Sequence, residues 1–267
     1  RGDEFISSTP NYLALYEALE IERPFFVTVS SILGEAGTKK LGKRDGAKDI
    51  LDYEKEGYLP EAMFNFLAFL GWNPGGGDNR EILSKKEVIE IFELSHIQKS
   101  GARFSEEKLN WINKEYIKKL PEEELRNNIF RYLPESYRNP KLIPIISERI
   151  SKWGDVKEMS LGGELDLFFK MPEIEKKKLV YKNCNEEKMV QNLKVVIKAL
   201  ENLSESNFTV ENIKSALMLI ANMGESRGEV LHPVRYALSG RDKSPDPFII
   251  AYIIGKNETL SRLQKAI

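Results

Sequence analysis

Residues 60–70 read Pro60-Glu61-Ala62-Met63-Phe64-Asn65-Phe66-Leu67-Ala68-Phe69-Leu70 and stop at Gly71, so the segment is apolar nearly all round. A helix at a surface needs only one apolar stripe, so this pattern predicts a buried helix closed by a C-terminal glycine. The chain beyond Gly71 is strongly punctuated. Ser84 and Glu87 have capping-box spacing ahead of Val88, Ile91 and Phe92, and Phe104 and Leu109 flank Ser105 at the spacing of a hydrophobic staple. Further helices are predicted over 121–132 and 142–153, then through Phe168 and Phe169. Met189, Leu193, Ile197 and Leu200 recur at helical spacing within 185–200, as do Ile213, Leu217 and Ile220 within 209–223. A last pair begins at Asp246-Pro247 and near Glu258, with Gly255 between them.

The first forty residues read differently. Thr9 before Pro10 suggests an N-cap and a first-turn proline, and Tyr12, Leu15, Tyr16 and Leu19 come after at helical spacing. Phe25-Phe26-Val27-Thr28-Val29 is aromatic and β-branched, which predicts the last strand of a parallel sheet. The turn Lys39-Lys40-Leu41-Gly42-Lys43-Arg44-Asp45-Gly46-Ala47 comes next. Open α/β sheets bind ligands beyond the carboxyl ends of their strands, and a glycine-bearing turn loaded with cations suits phosphoryl oxygens. A solvated basic turn has the same composition. Gly75-Gly76-Gly77 is expected to be a plain loop, because it lacks the lysine and hydroxyl of a phosphate cradle.

At 267 residues the chain has room for two or three domains, taking about 150 residues as a soft unit. Its 40 Lys+Arg against 41 Asp+Glu give a net charge of -1, so any RNA contact must come from local patches. Cys184 is the single cysteine and the two histidines, His96 and His232, are far apart, which leaves no disulfide framework and no zinc cluster. Both histidines are expected at the surface or satisfied in the core. No stretch approaches the roughly 18 apolar residues of a membrane span, and no secretory signal opens the chain. A soluble, cytoplasmic monomer without a metal site is the expectation. The start at Arg1, without an initiator Met, is read as the beginning of a C-terminal fragment or proteolytic product.

Four segments in order carry a resemblance. They are Arg1-Gly2-Asp3-Glu4 through Ser8-Thr9-Pro10, the basic turn with 56–72 behind it, Lys108-Leu109-Asn110-Trp111-Ile112-Asn113, and Pro233-Val234-Arg235-Tyr236-Ala237-Leu238-Ser239-Gly240. Together they resemble class I glutamyl-tRNA synthetases of the bacterial type, in their C-terminal portion. The turn departs from the family's K-[LMI]-S-K-R at Gly42, which removes a hydroxyl donor while both lysines are kept.

The resemblance implies a mainly α architecture with four parts: 1–45 as the end of a Rossmann catalytic domain, 46–120 as a helical stem-contact domain, and 121–180 and 181–267 as helical anticodon-binding subdomains. The boundary between the last two is expected in 171–187, where Glu173 to Lys178 is a charge run that supplies no core. It also implies ligation of glutamate to tRNA at the expense of ATP, with Mg in the parent enzyme. Lys40 and Lys43 would be catalytic, and Lys43, Glu4 and Ile32 would contact ATP. Arg1 would face the L-glutamate substrate together with a missing N-terminal half, and Arg235, Ser244, Pro245 and Pro247 would line the pocket for the anticodon of a glutamate-accepting tRNA. The bland readings are a core residue for Ile32 and a helix-end cap for Arg235. The alternative function is a non-catalytic tRNA-binding module, and the fragment alone is expected to be inactive.

Overall fold

Ser84 closes a reciprocal capping box with Glu87, and Ser105, Asn185 and Thr209 each accept a backbone N–H three residues on. Caps of this kind satisfy donors that a helix start leaves orphaned, so helix positions follow from local chemistry. The computed structural model describes residues 1–42, 47–182 and 184–267, and its regular elements there are all helices, with isolated β-bridges between some of the connecting segments. Two compact units emerge: Arg1–Tyr132 with Ile143–Lys157, and Leu133–Leu142 with Glu158–Ile267.

The first unit contains α1 (Thr9–Ala18), α2 (Ile50–Glu56), α3 (Pro60–Phe69), α4 (Lys85–Ile91), α5 (Glu106–Lys118), α6 (Glu122–Tyr132) and α7 (Ile143–Arg149). Its core joins α3 to α5 through Tyr58, Ala62, Met63, Phe66, Leu70, Leu109 and Ile112. A smaller cluster of Trp72, Leu83 and Val88 lies beside it. Two fully buried asparagines organise the connections. Asn65 accepts from Leu83 N and donates to Glu81 O, while Asn113 accepts from Leu59 N and donates to Ser151 O. Each thereby satisfies backbone groups that burial would otherwise leave unpaired.

Gly57 ends α2 at φ +90, and a Cβ there would lie 2.6 Å from Trp153 Cβ. Only glycine tolerates both the left-handed backbone and that approach. The predicted single helix over 142–153 is interrupted, because the Asp155 carboxylate accepts from Ser151 N and Lys152 N and starts α8 (Trp153–Leu161) instead.

In the second unit α9 (Lys176–Leu179), α10 (Glu186–Glu201), α11 (Val210–Ala221), α12 (Gly228–Ser239), α13 (Pro247–Ile254) and α14 (Lys256–Lys265) pack around Leu193, Val196, Leu217, Val234, Ile250 and Leu263. Residues 171–187 lie inside this unit, where Leu179 is fully buried and α9 packs on α12. Pro233 sits within α12 and deprives the Glu229 carbonyl of its helical donor, a loss made good by Asn192 Nδ2 at 3.1 Å.

Several expectations need correction. Among the described residues there is no strand at 25–29: one parallel bridge joins Gly2 to Val29, and Phe25 is fully exposed. β-Propensity becomes a strand only beside a pairing neighbour, and among the described residues the backbone pairing here is confined to Arg1 and Asp3 against Val27 and Val29. The cap of α1 is Ser8 rather than Thr9, whose hydroxyl donates to Phe5 O, and the helix buries no residue. Finally, α3 ends on Leu70 in αR geometry rather than on a left-handed Gly71, and Leu67 is 46% exposed, so the helix is not buried all round.

Candidate functional site

In the first unit, backbone bonds fold 32–41 into a hairpin, with Leu41 N donating to Ile32 O at 2.8 Å and Gly34 N to Lys39 O at 2.9 Å. Leu33 pins it to the body of the unit through Ala102 O and Phe104 N, each at 2.8 Å. The hairpin brings two candidate residues together, since Lys40 Nζ lies 3.0 Å from Glu4 Oε1. Ile32 stands on the same hairpin and is 37% exposed, a surface residue rather than core. Arg1 is not drawn into this pair; its guanidinium lies over the rings of Phe5 and Tyr12 at 5.2 and 5.1 Å. Lys43 falls outside the described residues.

Two further polar groups of this unit were not singled out from the sequence. Ser31 Oγ donates to Asp3 Oδ1 at 2.6 Å, and this bond holds the Asp3 carboxyl below the usual carboxylate range. Lys48, just beyond the basic turn, contacts Glu56 Oε1 at 2.8 Å and Glu106 Oε1 at 3.0 Å. Burial alone would lower the pKa of its ammonium, yet the hydrogen bonds to Glu56 and Glu106 outweigh that and raise it. The arrangement offers an exposed ammonium held by a carboxylate beside an exposed apolar side chain. That set suits a nucleotide's phosphate and base.

The RNA-reading candidates are in the second unit. Arg235 projects from α12, half-buried, and among the described residues its side chain has no hydrogen bond or ion pair. It therefore caps no helix end. Ser244 and Pro245 are half-buried in the following loop, where Ser244 Oγ donates to Pro245 O at 3.2 Å. Pro247 is buried in the first turn of α13. No described hydrogen bond joins Arg235 to Ser244. Sequence reasoning missed Arg241, which donates to Gly163 O at 2.5 Å and Glu164 O at 3.1 Å.

Neither histidine forms a metal site, and no group of three or more His, Cys, Asp or Glu able to hold a metal occurs among the described residues. His232 Nε2 lies 2.8 Å from Lys178 O between the rings of Tyr181 and Tyr236. Among the described residues His96 Nδ1 is buried without a hydrogen-bond partner, while its Nε2 lies 3.8 Å from Glu93 Oε2. No described helix is long and apolar enough to cross a membrane.

A family model described as an anticodon binding domain matches residues 97–267, more than half of the chain. The chain belongs to that family. Ahead of its anticodon-binding match, a model of the class I tRNA synthetase (E and Q) catalytic domain matches residues 1–111. The chain is similar to glutamate–tRNA ligases of Clostridium acetobutylicum and Clostridium kluyveri, at 36% identity in both cases and over its whole length. It covers 55% and 54% of those proteins, so this anticodon-binding family member spans about half the length of the curated relatives it matches. Among solved structures it is similar to a glutamate tRNA ligase from Elizabethkingia meningosepticum in complex with its amino acid, at 32% identity and a TM-score of 0.81, covering all of this chain and 56% of that one. The mainly α architecture and the resemblance to the glutamyl enzymes are borne out by these matches.

Proposed function

We propose that this chain is the tRNA-holding part of a glutamate–tRNA ligase and carries the hairpin that meets ATP during activation. The observation that carries the reading is the half-buried guanidinium of Arg235, unpaired among the described residues, in a chain of the anticodon-binding family. A guanidinium with unused donors can bond the edge of an unpaired base, and the half-buried Pro245 offers apolar surface against which a base stacks, while the buried Pro247 shapes the pocket from beneath as the first turn of α13. In this reading 1–45 ends the catalytic domain, 46–120 meets the tRNA stem, and 121–180 and 181–267 are the anticodon-binding subdomains.

Within the hairpin, Lys40 neutralises charge that grows on phosphate oxygens as a carboxylate attacks the α-phosphate, and Glu4 keeps its ammonium in register. Lys43 shares that work, and Ile32 gives apolar surface to the adenine. Bound with the nucleotide, magnesium would supply further positive charge to the phosphates. Arg1 takes the carboxylate of L-glutamate. Catalysis needs segments beyond those of this sequence, so the chain alone binds tRNA without charging it, as a cytoplasmic monomer.

Binding titrations test the reading. Wild type and Arg235→Ala are each titrated with a glutamate tRNA and with the same tRNA carrying a changed anticodon, at two salt concentrations. Wild type should prefer the first RNA, and the variant should lose about 1 to 3 kcal/mol of that preference. Equal weakening toward both RNAs, with a salt slope reduced by about one unit, would assign Arg235 to the phosphate backbone instead.

A further inference from the structure

Arg262 of α14 is 1% exposed, the largest side chain buried so completely among the described residues. A guanidinium in that position is costly unless its donors are satisfied. Nε donates to Glu258 Oε1 at 2.7 Å, Nη1 to Leu167 O at 2.6 Å and Leu238 O at 2.7 Å, and Nη2 to Lys170 O at 3.0 Å. The acceptors belong to separate pieces of chain. Leu238 lies in the last turn of α12, whose carbonyls have no helical partner, and Leu167 and Lys170 belong to the segment after α8.

The same two pieces also meet at Gly240. This residue closes α12 at φ +65, and a Cβ there would stand 2.8 Å from Glu173 O and 2.9 Å from Pro172 Cβ. Between them opens a cavity of about 260 Å³, lined by Lys170, Met171, Pro172, Gly240 and Arg241 among others. Arg235 and Leu238 are neighbours across one helical turn, so whatever fixes the Leu238 carbonyl fixes the turn that carries Arg235.

We infer that Arg262 is a positioning residue for base reading: its buried fork locks the Arg235-bearing turn of α12 to 167–170 and so sets which unpaired RNA base that turn accepts. This rests on the anticodon-reading role of Arg235 proposed above. Arg262 touches no RNA, being enclosed, and acts through the main chain. Lysine cannot replace it, since a compact ammonium lacks the planar fork that reaches separate carbonyls at once.

The test uses the 267-residue chain with Arg262→Lys and Glu258→Gln, titrated with the glutamate tRNA and its changed-anticodon form. Hydrogen exchange is measured over 163–173 and 236–241. Arg262→Lys should keep its helical circular dichroism, exchange faster in those two segments, and lose about three- to thirtyfold of the wild-type preference between the RNAs, the range seen for residues that modulate a site without touching its ligand. Its salt dependence should match wild type, because no phosphate contact is removed. A merely structural role would weaken both RNAs together and leave their ratio intact, and that result overturns the inference. Should Arg262→Lys fail to melt cooperatively, Glu258→Gln decides, because it loosens only the Nε contact: a smaller loss of the ratio supports the inference, and an unchanged ratio overturns it. A wild type that does not distinguish the two RNAs would instead overturn the anticodon reading itself.

Discussion

Lys40 Nζ and Glu4 Oε1 stand 3.0 Å apart although their residues are 36 positions apart in sequence, joined by the hairpin that carries Lys40. Both side chains are about half exposed, at 56% and 48%, so solvent and salt screen the pair. Its value lies in where it holds the ammonium. A double-mutant cycle of Glu4→Gln and Lys40→Met should give a coupling below about 1 kcal/mol that shrinks as salt is raised. A coupling of several kcal/mol in thermal melts would make the pair a stabilising element instead.

The Lys108-to-Asn113 motif divides by burial, and its residues should respond accordingly. Asn113 is fully buried and serves Leu59 N and Ser151 O, whereas Trp111 is 41% exposed beneath the Lys108 ammonium, 4.1 Å from its ring. Asn113→Ala should cost about 3 kcal/mol by stranding two backbone groups, and Trp111→Ala less than about 1 kcal/mol. Urea denaturation of both variants checks this. Equal losses would contradict the division.

Gly57→Ala should destabilise the first unit by about 2 kcal/mol or more, because the new methyl meets Trp153 Cβ at 2.6 Å and Gly154 N at 2.9 Å at a φ of +90. The comparison is Gly76→Ala, where the added Cβ meets nothing within 4 Å at φ +60 and only the backbone cost remains. A melt showing equal losses for both would mean that Trp153 yields.

The raised pKa of Lys48 makes a directional claim about alkaline pH. A base whose folded pKa exceeds its unfolded one stabilises the fold fully below the unfolded value, and that contribution disappears as pH rises through the folded value. Wild type should therefore lose its advantage over Lys48→Met from about pH 10 upward, with a constant difference below it. Melts from neutral to strongly alkaline pH would read this, and a difference independent of pH throughout would remove the ion pairs with Glu56 and Glu106 as its source.

Local chemistry was the legible part. Ser84 with Glu87, Ser105, Asn185 and Thr209 announce helix starts because a cap and its acceptor lie within one turn, and each behaves that way in the fold. The anticodon-binding and synthetase character was legible too, since it rides on short motifs that need no folding to be read. Helix ends were less so: the stop at Arg149 comes from Asp155 reaching back, and a side chain's choice between competing backbone donors leaves little periodic trace.

The run of capped amphipathic helices, and the residue types available at each candidate site, are therefore properties of the amino-acid order itself. The remainder came from long-range packing. Residues 25–29 have every local mark of a strand and form none here, because pairing is a relation between segments. Glu4 meets Lys40, and Arg262 holds carbonyls near positions 167 and 238, across distances in sequence that no periodicity spans. A buried charge is tolerated only where distant backbone acceptors converge on it, and that convergence exists only once the chain has folded.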